Sequence, residues 1–461
     1  MYDHLQLIQF TQMHKPNNNQ MEEPQCSSIP ANSSASGEKE NPLTQPFPPP
    51  MPERLPSSIE AIIRPSPENA RAAVSMSVFS ALRALMKEVE FLYIDNSWTE
   101  PAFMSILIAE HASGKSAIRP PLNAILCEVA RQDEAARIED QQWRDKCATL
   151  GANKQHPPAP TSPIRCIQPD CTNPALVRLA KRASPYTLFS YGEEIEKLFR
   201  MKNVSEIIRS AYDSELFGQE RVGAQSVSEV VRLRWSFCFS TTPPMALKML
   251  RNDIMNGTLS RLTLSTIIFP DDDWGEVTPH HGSYDIQYQE SIRAYTYHLE
   301  QAHGQIVCPE AIEWTTKKKL EMINVLRLMD AKWMLPFLWR SLQMAFWRSC
   351  MLFLMHQQRW SQEIEDFCSW TLQDDLWCKL YYFGSLMEQL AGNNAIEKRR
   401  PNMLLPLLPD EFSKEQAREM RQQQGKDCCS KSVRNMLSQW SYRGFIRYDP
   451  ERNLYIKNKE L

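Results

Sequence analysis

Residues 109–116 read Ala-Glu-His-Ala-Ser-Gly-Lys-Ser. A Gly-Lys-Ser triplet offers the groups that hold a nucleotide phosphate. Backbone N–H groups at a tight turn and a following helix N-terminus bind phosphate oxygens, the lysine reaches the terminal phosphates, and the hydroxyl ligates magnesium. Gly114, Lys115 and Ser116 would take these parts, with Ser116 on the metal. The full pattern asks for a glycine five residues before Gly114, and Ala109 stands there. The triplet taken alone therefore leaves a chance occurrence open. Pro120 and Pro121 are a second departure. Proline inside a helix removes a hydrogen bond and clashes with the preceding turn, so the helix after the loop is expected to kink and restart at Pro121.

A site that hydrolyses nucleotide also needs acidic groups at the end of a buried strand. "TLFSYGEEIEKL" supplies Glu193 and Glu194. Glu193 would help hold magnesium through water, and Glu194 would polarise the attacking water. Aspartate is the commoner type at the first position. The alternative is a solvated acidic helix start, where carboxylates favour the dipole. "SFCFSTTPP" ends another apolar run in Ser240, Thr241 and Thr242. These hydroxyls could contact the same water, or cap a helix before Pro243. "NGTLSRLTLSTI" places Arg261 after a turn and before a strand. It could stabilise transition-state charge on a neighbouring subunit's nucleotide, or be an ordinary surface arginine.

These side chains need strands to carry them. "FMSILIA", "YTLFSY", "VVRLRWSFCFSTT" and "RLTLSTIIF" read as strands, and "EFLYID" and "IRCIQ" as shorter ones. "TNPALVRLAKRA", "VSEIIRSAYD" and "PPMALKMLRNDIMN" read as helices between them. The alternation over 58–284 predicts an α/β domain with a mostly parallel sheet. Residues 1–57 are rich in Asn, Gln, Ser and Pro and end in "PFPPPMPERLP". They predict a disordered Pro-rich tail and linker. Residues 285–396 carry helical periodicity and many large apolar side chains, and predict a helical lid, from which Arg340 could reach a nucleotide. Within it, "MLPFLWRSLQMAFWRSCMLFLM" contains Arg340 and Arg348, so a buried helix fits better than a membrane span.

The chain has 461 residues, 42% of them hydrophobic and 23% charged, which suits a globular protein of several domains. No basic segment followed by an apolar core opens it. The expectation is a cytoplasmic protein whose 12 cysteines are free thiols. "CIQPDC" and Cys428-Cys429 lack the second pair or histidines of a zinc site. The net charge of −3 carries no global sign of nucleic-acid affinity. It is unevenly spread: from Lys398 onward 14 Lys and Arg face 8 Asp and Glu, a local excess of basic charge.

That basic end, 397–461, predicts a winged-helix-like module. A helix starts at Ser413, a second covers "SKSVRNMLSQWSYRG", and "FIRYDPERNLYIKN" forms a two-stranded wing. Such a module lays its second helix in the major groove of DNA. Lys431, Arg434 and Gln439 are the outward candidates, and Arg443, Arg447, Arg452 and Lys457 the phosphate contacts. A protein-binding module is the alternative.

Taken in order, "SGKSAIRPPL", "NVSEIIRSAYD", "FGQERVGAQSVS", "NGTLSRLTL", "RWSQEIEDFCSW" and "DLWCKLYYFG" give the chain a resemblance over roughly 50–461. It resembles an uncharacterised family of P-loop ATPase-like proteins of Bacteroides-type bacteria and their mobile elements. The resemblance implies a RecA/AAA-like nucleotide-binding core, ATP and Mg2+ as cofactors, a homo-oligomer, and a helicase-like or loader-like role on DNA. Some relatives are joined to a primase-type domain, so primase or other replication proteins are implied partners. Gly114, Lys115 and Ser116 match the phosphate loop, Glu193 and Glu194 the acidic pair, and Arg261 the arginine of a G-x-x-x-R element. Ala109, Glu193 and the double proline depart from the general pattern. They keep open a second function, a non-hydrolysing DNA-binding accessory protein on a degenerate loop.

Overall fold

The apolar runs of the first half become parallel strands. In the computed structural model, which describes residues 43–150, 157–219, 229–268, 282–391 and 404–458, helices α1 (Ser57–Ile63) and α2 (Glu68–Leu85) precede a small hairpin, β1 (Val89–Leu92) with β2 (Trp98–Thr99). Strand β3 (Met104–Ala109) follows and is buried throughout. Beyond the loop, a 3-10 turn over Lys115–Ile118 leads into α3 (Arg119–Ile125) and the long, charged α4 (Cys127–Thr149). Pro120 and Pro121 lie in the first turn of α3, where a missing N–H leaves nothing unsatisfied. The expected restart at Pro121 therefore falls two residues earlier, at Arg119.

Next come α5 (Asn173–Ala183), β4 (Leu188–Gly192), α6 (Ile195–Leu198) and α7 (Val204–Tyr212). A second hairpin, β5 (Leu216–Gln219) with β6 (Glu229–Arg232), leads to β7 (Trp235–Thr241). Helices α8 (Pro243–Leu250) and α9 (Thr258–Arg261) then lead to β8 (Thr263–Ile267). The main sheet has the order β4-β7-β3-β8, with every pair parallel. Strands covered on both faces carry unbroken apolar runs, and β7 is buried at all seven positions. "IRCIQ" contributes only a bridge, Cys166 to Phe189 on β4.

The second half is helical: α10 (Ile286–Gln301), α11 (Pro309–Leu328), α12 (Leu335–Met355) and α13 (Gln362–Ala391), with a short strand β9 (Gly304–Ile306) pairing with β1. These helices are not set apart as a lid. Buried residues from Leu43 to Met387 form one continuous core with the sheet. α12 is the expected buried helix, with Arg348 wholly enclosed between the rings of Phe79 and Phe103. No helix among the described residues is long and apolar enough to cross a membrane.

The Pro-rich segment also departs from expectation where it is described. Leu43 is buried, Trp370 donates to the Pro49 carbonyl and Trp377 to the Gln45 carbonyl, each at 2.9 Å. Proline carbonyls accept hydrogen bonds although the ring nitrogen cannot donate, so indole N–H groups on α13 fasten the segment. Residues 1–42 lie outside the described residues. At the C-terminus, β10 (Glu411–Phe412), α14 (Lys414–Gln423), α15 (Ser430–Tyr442), β11 (Ile446–Asp449) and β12 (Leu454–Lys457) surround a second, separate core. Ser413 and Gln416 form a capping box that starts α14.

Candidate active site

Three parallel strands end side by side, and their ends carry the residues singled out by type. β3 runs into the 110–114 loop, β4 into Glu193-Glu194, and β7, between them, into Ser240, Thr241 and Thr242. The carboxyl ends of parallel strands are where open α/β sheets bind ligands. A cleft of ≈ 580 Å³ opens there, lined by Gly114, Lys115 and Ser116 on one side, Glu193 and Glu194 on the other, and the β7 hydroxyl residues at the floor. The three groups, spread over more than a hundred residues of sequence, face one space. That volume is ordinary for a small-molecule site.

The loop explains its own sequence. Ala109 is the last residue of an extended strand, in register with Ile267 of β8, so nothing there demands a glycine. The left-handed residues are Ala112, at φ 61°, and Gly114, at φ 80°. Lys115 folds back so that Nζ donates to the Ala109 carbonyl at 2.9 Å. Partial burial lowers its pKa, with Glu110 acting in the opposite direction.

The acidic pair is exposed and loosely held. Glu193 lies 3.7 Å from Arg119, and Glu194 lies 3.7 Å from Lys197. Ser240 donates to the Glu193 carbonyl at 2.8 Å and so fixes the turn. The Thr241 hydroxyl is buried in the cleft floor without a hydrogen-bond partner among the described residues, and such a group is costly unless something supplies one. No group of three His, Cys, Asp or Glu among the described residues is placed to hold a metal alone. Ser116 with Glu193 instead suits magnesium, which keeps several waters and takes one or two protein oxygens beside phosphate. The donor set fits Mg-nucleotide.

Arg261 does not join this cleft. It precedes β8, and Thr263 of β8 is level with Ser105 at the start of β3, so it sits at the opposite end of the sheet. There it bonds Asp213 through Nη2 at 2.6 Å. Sequence reading missed two charged neighbours, Arg119 and Asp213. Arg119 had a signal, since it stands three residues after Ser116; Asp213 had none.

In the C-terminal module, Lys431, Arg434 and Arg447 are exposed. Gln439 and Arg443, both half-buried, turn toward the end of α11 instead. Gln439 Nε2 donates to the Arg327 carbonyl at 3.2 Å, and Arg443 lies 3.6 Å from Asp330, both at the end of α11. Arg452 pairs with Glu411, and Lys457 donates to the Leu408 carbonyl. No protein-family model matches the chain, and no curated protein matches it.

Proposed function

We propose that the chain binds Mg-ATP in the cleft at the ends of β3, β4 and β7, hydrolyses it, and acts on DNA as a helicase-like or loader-like protein in the replication or mobilisation of a bacterial element. The observation that carries the ATP reading is the meeting of Gly114-Lys115-Ser116, Glu193-Glu194 and the β7 hydroxyls in one cleft. The insertion of β7 between the loop strand and the acidic strand supports a RecA/AAA-like core, because it sets a row of polar side chains between phosphate and carboxylate.

The residues divide the work by position. Lys115 exchanges the Ala109 carbonyl for phosphate oxygens. Ser116, and Glu193 through water, would hold the magnesium, which when bound would offset phosphate charge. Glu194 orients the attacking water and accepts its proton, and Thr241 supplies a further hydrogen bond on the same side. The DNA reading rests on the helix–helix–strand–strand order of the 404–458 module and the exposed Lys431, Arg434 and Arg447.

The alternative is a non-hydrolysing DNA-binding replication-accessory protein in which the altered phosphate loop is a scaffold. The Lys115–Ala109 bond and the Glu193–Arg119 pair favour it, because both must open before the two residues can serve. The deciding experiment is magnesium-dependent ATP turnover with and without single-stranded DNA, for wild type and Lys115→Ala. DNA-stimulated turnover lost in the variant supports the motor reading. Nucleotide binding without turnover supports the accessory reading, and neither binding nor turnover overturns the ATP reading and leaves the C-terminal module to carry the function.

A further inference from the structure

Away from the phosphate-loop cleft, a second cavity of ≈ 170 Å³ opens where five separate stretches meet. Lys87 follows α2, Glu128 and Gln132 lie on the first two turns of α4, Arg165 precedes α5, Tyr186 precedes β4, and Glu300 stands at the end of α10. Tyr186 is two residues before β4, and Glu193 follows the other end of that strand. The cavity therefore lies at the amino ends of the strands, a strand length from the cleft, on the order of 15 Å.

Its charges are present but not matched. Arg165 is only 6% exposed, its guanidinium lies 4.5 Å from the centre of the Tyr186 ring, and Nη2 donates to Gln132 Oε1 at 2.6 Å. Its Nε finds no acceptor among the described residues. The Lys87 ammonium lies 5.9 Å from the centre of the same ring. An aromatic face attracts a cation without neutralising it, and a buried charge is costly unless it is paired. Glu128 does not supply the pair, because Arg131 already holds it at 2.7 Å. Glu300 is half-buried, and among the described residues its carboxylate forms neither an ion pair nor a hydrogen bond. Burial raises its pKa, with Arg293 and Arg165 acting in the opposite direction and Glu128 adding to the rise. Two cations and a carboxylate thus line one cavity without meeting each other.

We propose that this cavity binds a small free α-amino acid, whose carboxylate meets Arg165 and Lys87 and whose ammonium meets Glu300. The site stands apart from the cleft and from the ATP reading. A plain anion would satisfy the two cations but would sit against Glu300, and a plain amine would leave the cations unmatched. A zwitterion carries both charges on neighbouring atoms and answers both sides at once, through charge-assisted hydrogen bonds. The volume is below the usual range for drug-sized ligands, which suits an amino acid and excludes a nucleotide. Stacking on Tyr186 and the Gln132 bond hold the Arg165 guanidinium in place beforehand, which lowers the ordering cost of binding.

The test is a thermal-shift screen of the full chain against the free protein amino acids, followed by calorimetric titration of whichever raises the midpoint. The binder is then compared with two analogues, the carboxylic acid that lacks its amino group and the amine that lacks its carboxylate. Each analogue is expected to bind about tenfold more weakly or worse, since each loses one charge-assisted contact. Glu300→Gln keeps the shape of the side chain and should weaken the amino acid about tenfold or more. Lys87→Met, at an exposed position, should weaken it by a smaller factor. Lys115→Ala should bind it as wild type does, because that lysine lies in the other cleft. The proposal is wrong if no amino acid raises the midpoint, or if the carboxylic acid analogue binds as tightly as the amino acid, which would make the cavity a plain anion site. It is also wrong if Glu300→Gln binds with unchanged affinity, or if Lys115→Ala abolishes binding, which would place the ligand in the phosphate-loop cleft.

Discussion

Gly192 ends β4 one residue before the acidic pair, and a Cβ there would lie 2.5 Å from Cε1 of Phe239 on β7. The close approach of the two strands sets Glu193 at the cleft edge. Gly192→Ala should therefore cost about 1–3 kcal/mol through overpacking, read as a lower urea midpoint, and should weaken magnesium-dependent nucleotide binding. An unchanged midpoint would mean the ring turns aside freely. Ala112 offers the reverse case. Its φ of 61° is costly for a residue with a Cβ, so Ala112→Gly should stabilise the fold by about 1 kcal/mol, and a lower thermal midpoint would count against this account. The same dihedrals show why the glycine expected at Ala109 is dispensable: the strand runs through that position and the turn comes later. A motif pattern registers residue types, whereas the backbone registers only which residues turn.

At the scale of elements, α13 is what closes the open edge of the sheet. Asp375 accepts from the Leu264 N–H of β8 at 2.8 Å, from the Ser341 hydroxyl, and from Lys379 at 2.7 Å, all out of contact with water. An edge strand exposes unpaired N–H groups unless something covers them, and here a carboxylate does. Removing one partner of a buried pair strands the other charge, so Lys379→Met should lose about 3–5 kcal/mol in chemical unfolding; a loss below about 1 kcal/mol would show that Asp375 is satisfied without it. The adjoining Asp374 is pushed up to about 8 by burial and by Asp375, with Arg348 opposing. Its folded pKa lies above the ordinary 3.8, so between about pH 4 and pH 8 the folded state holds a proton that the unfolded state has released. Stability should fall as pH rises through that window, and Asp374→Asn should flatten the slope of midpoint against pH. Equal slopes in both proteins would exclude Asp374 as the cause. None of this was legible in "LQDDLWCKL". The helix was plain from its period, but an Asp and a Lys four apart usually face water. What buries them is β8, whose contact with Asp375 spans 111 residues of sequence.

At the scale of the whole molecule, each strand carrying a site residue was visible as a short apolar run ending in polar residues. The order of those strands was not, because it depends on which crossovers let α2 and α13 cover the sheet. The C-terminal module shows the same division. Its two helices and final strand pair follow from a capping serine and apolar spacing, but its docking does not. Gln439 and Arg443 have the types of DNA-contacting residues, yet both turn toward Arg327 and Asp330 at the end of α11. On the DNA reading proposed above, the surface left for nucleic acid is the first half of α15 with β11, through the exposed Lys431, Arg434 and Arg447. Each phosphate contact contributes about one unit to the slope of log affinity against log salt. Lys431→Ala with Arg434→Ala should weaken binding to a DNA duplex and reduce that slope by about 2. Arg443→Ala should leave the slope unchanged, because the charge it removes is turned toward Asp330. Fluorescence anisotropy over a salt series separates the two. A slope that drops for Arg443→Ala and holds for the double variant would mean that the module leaves α11 to bind DNA and presents the second half of α15.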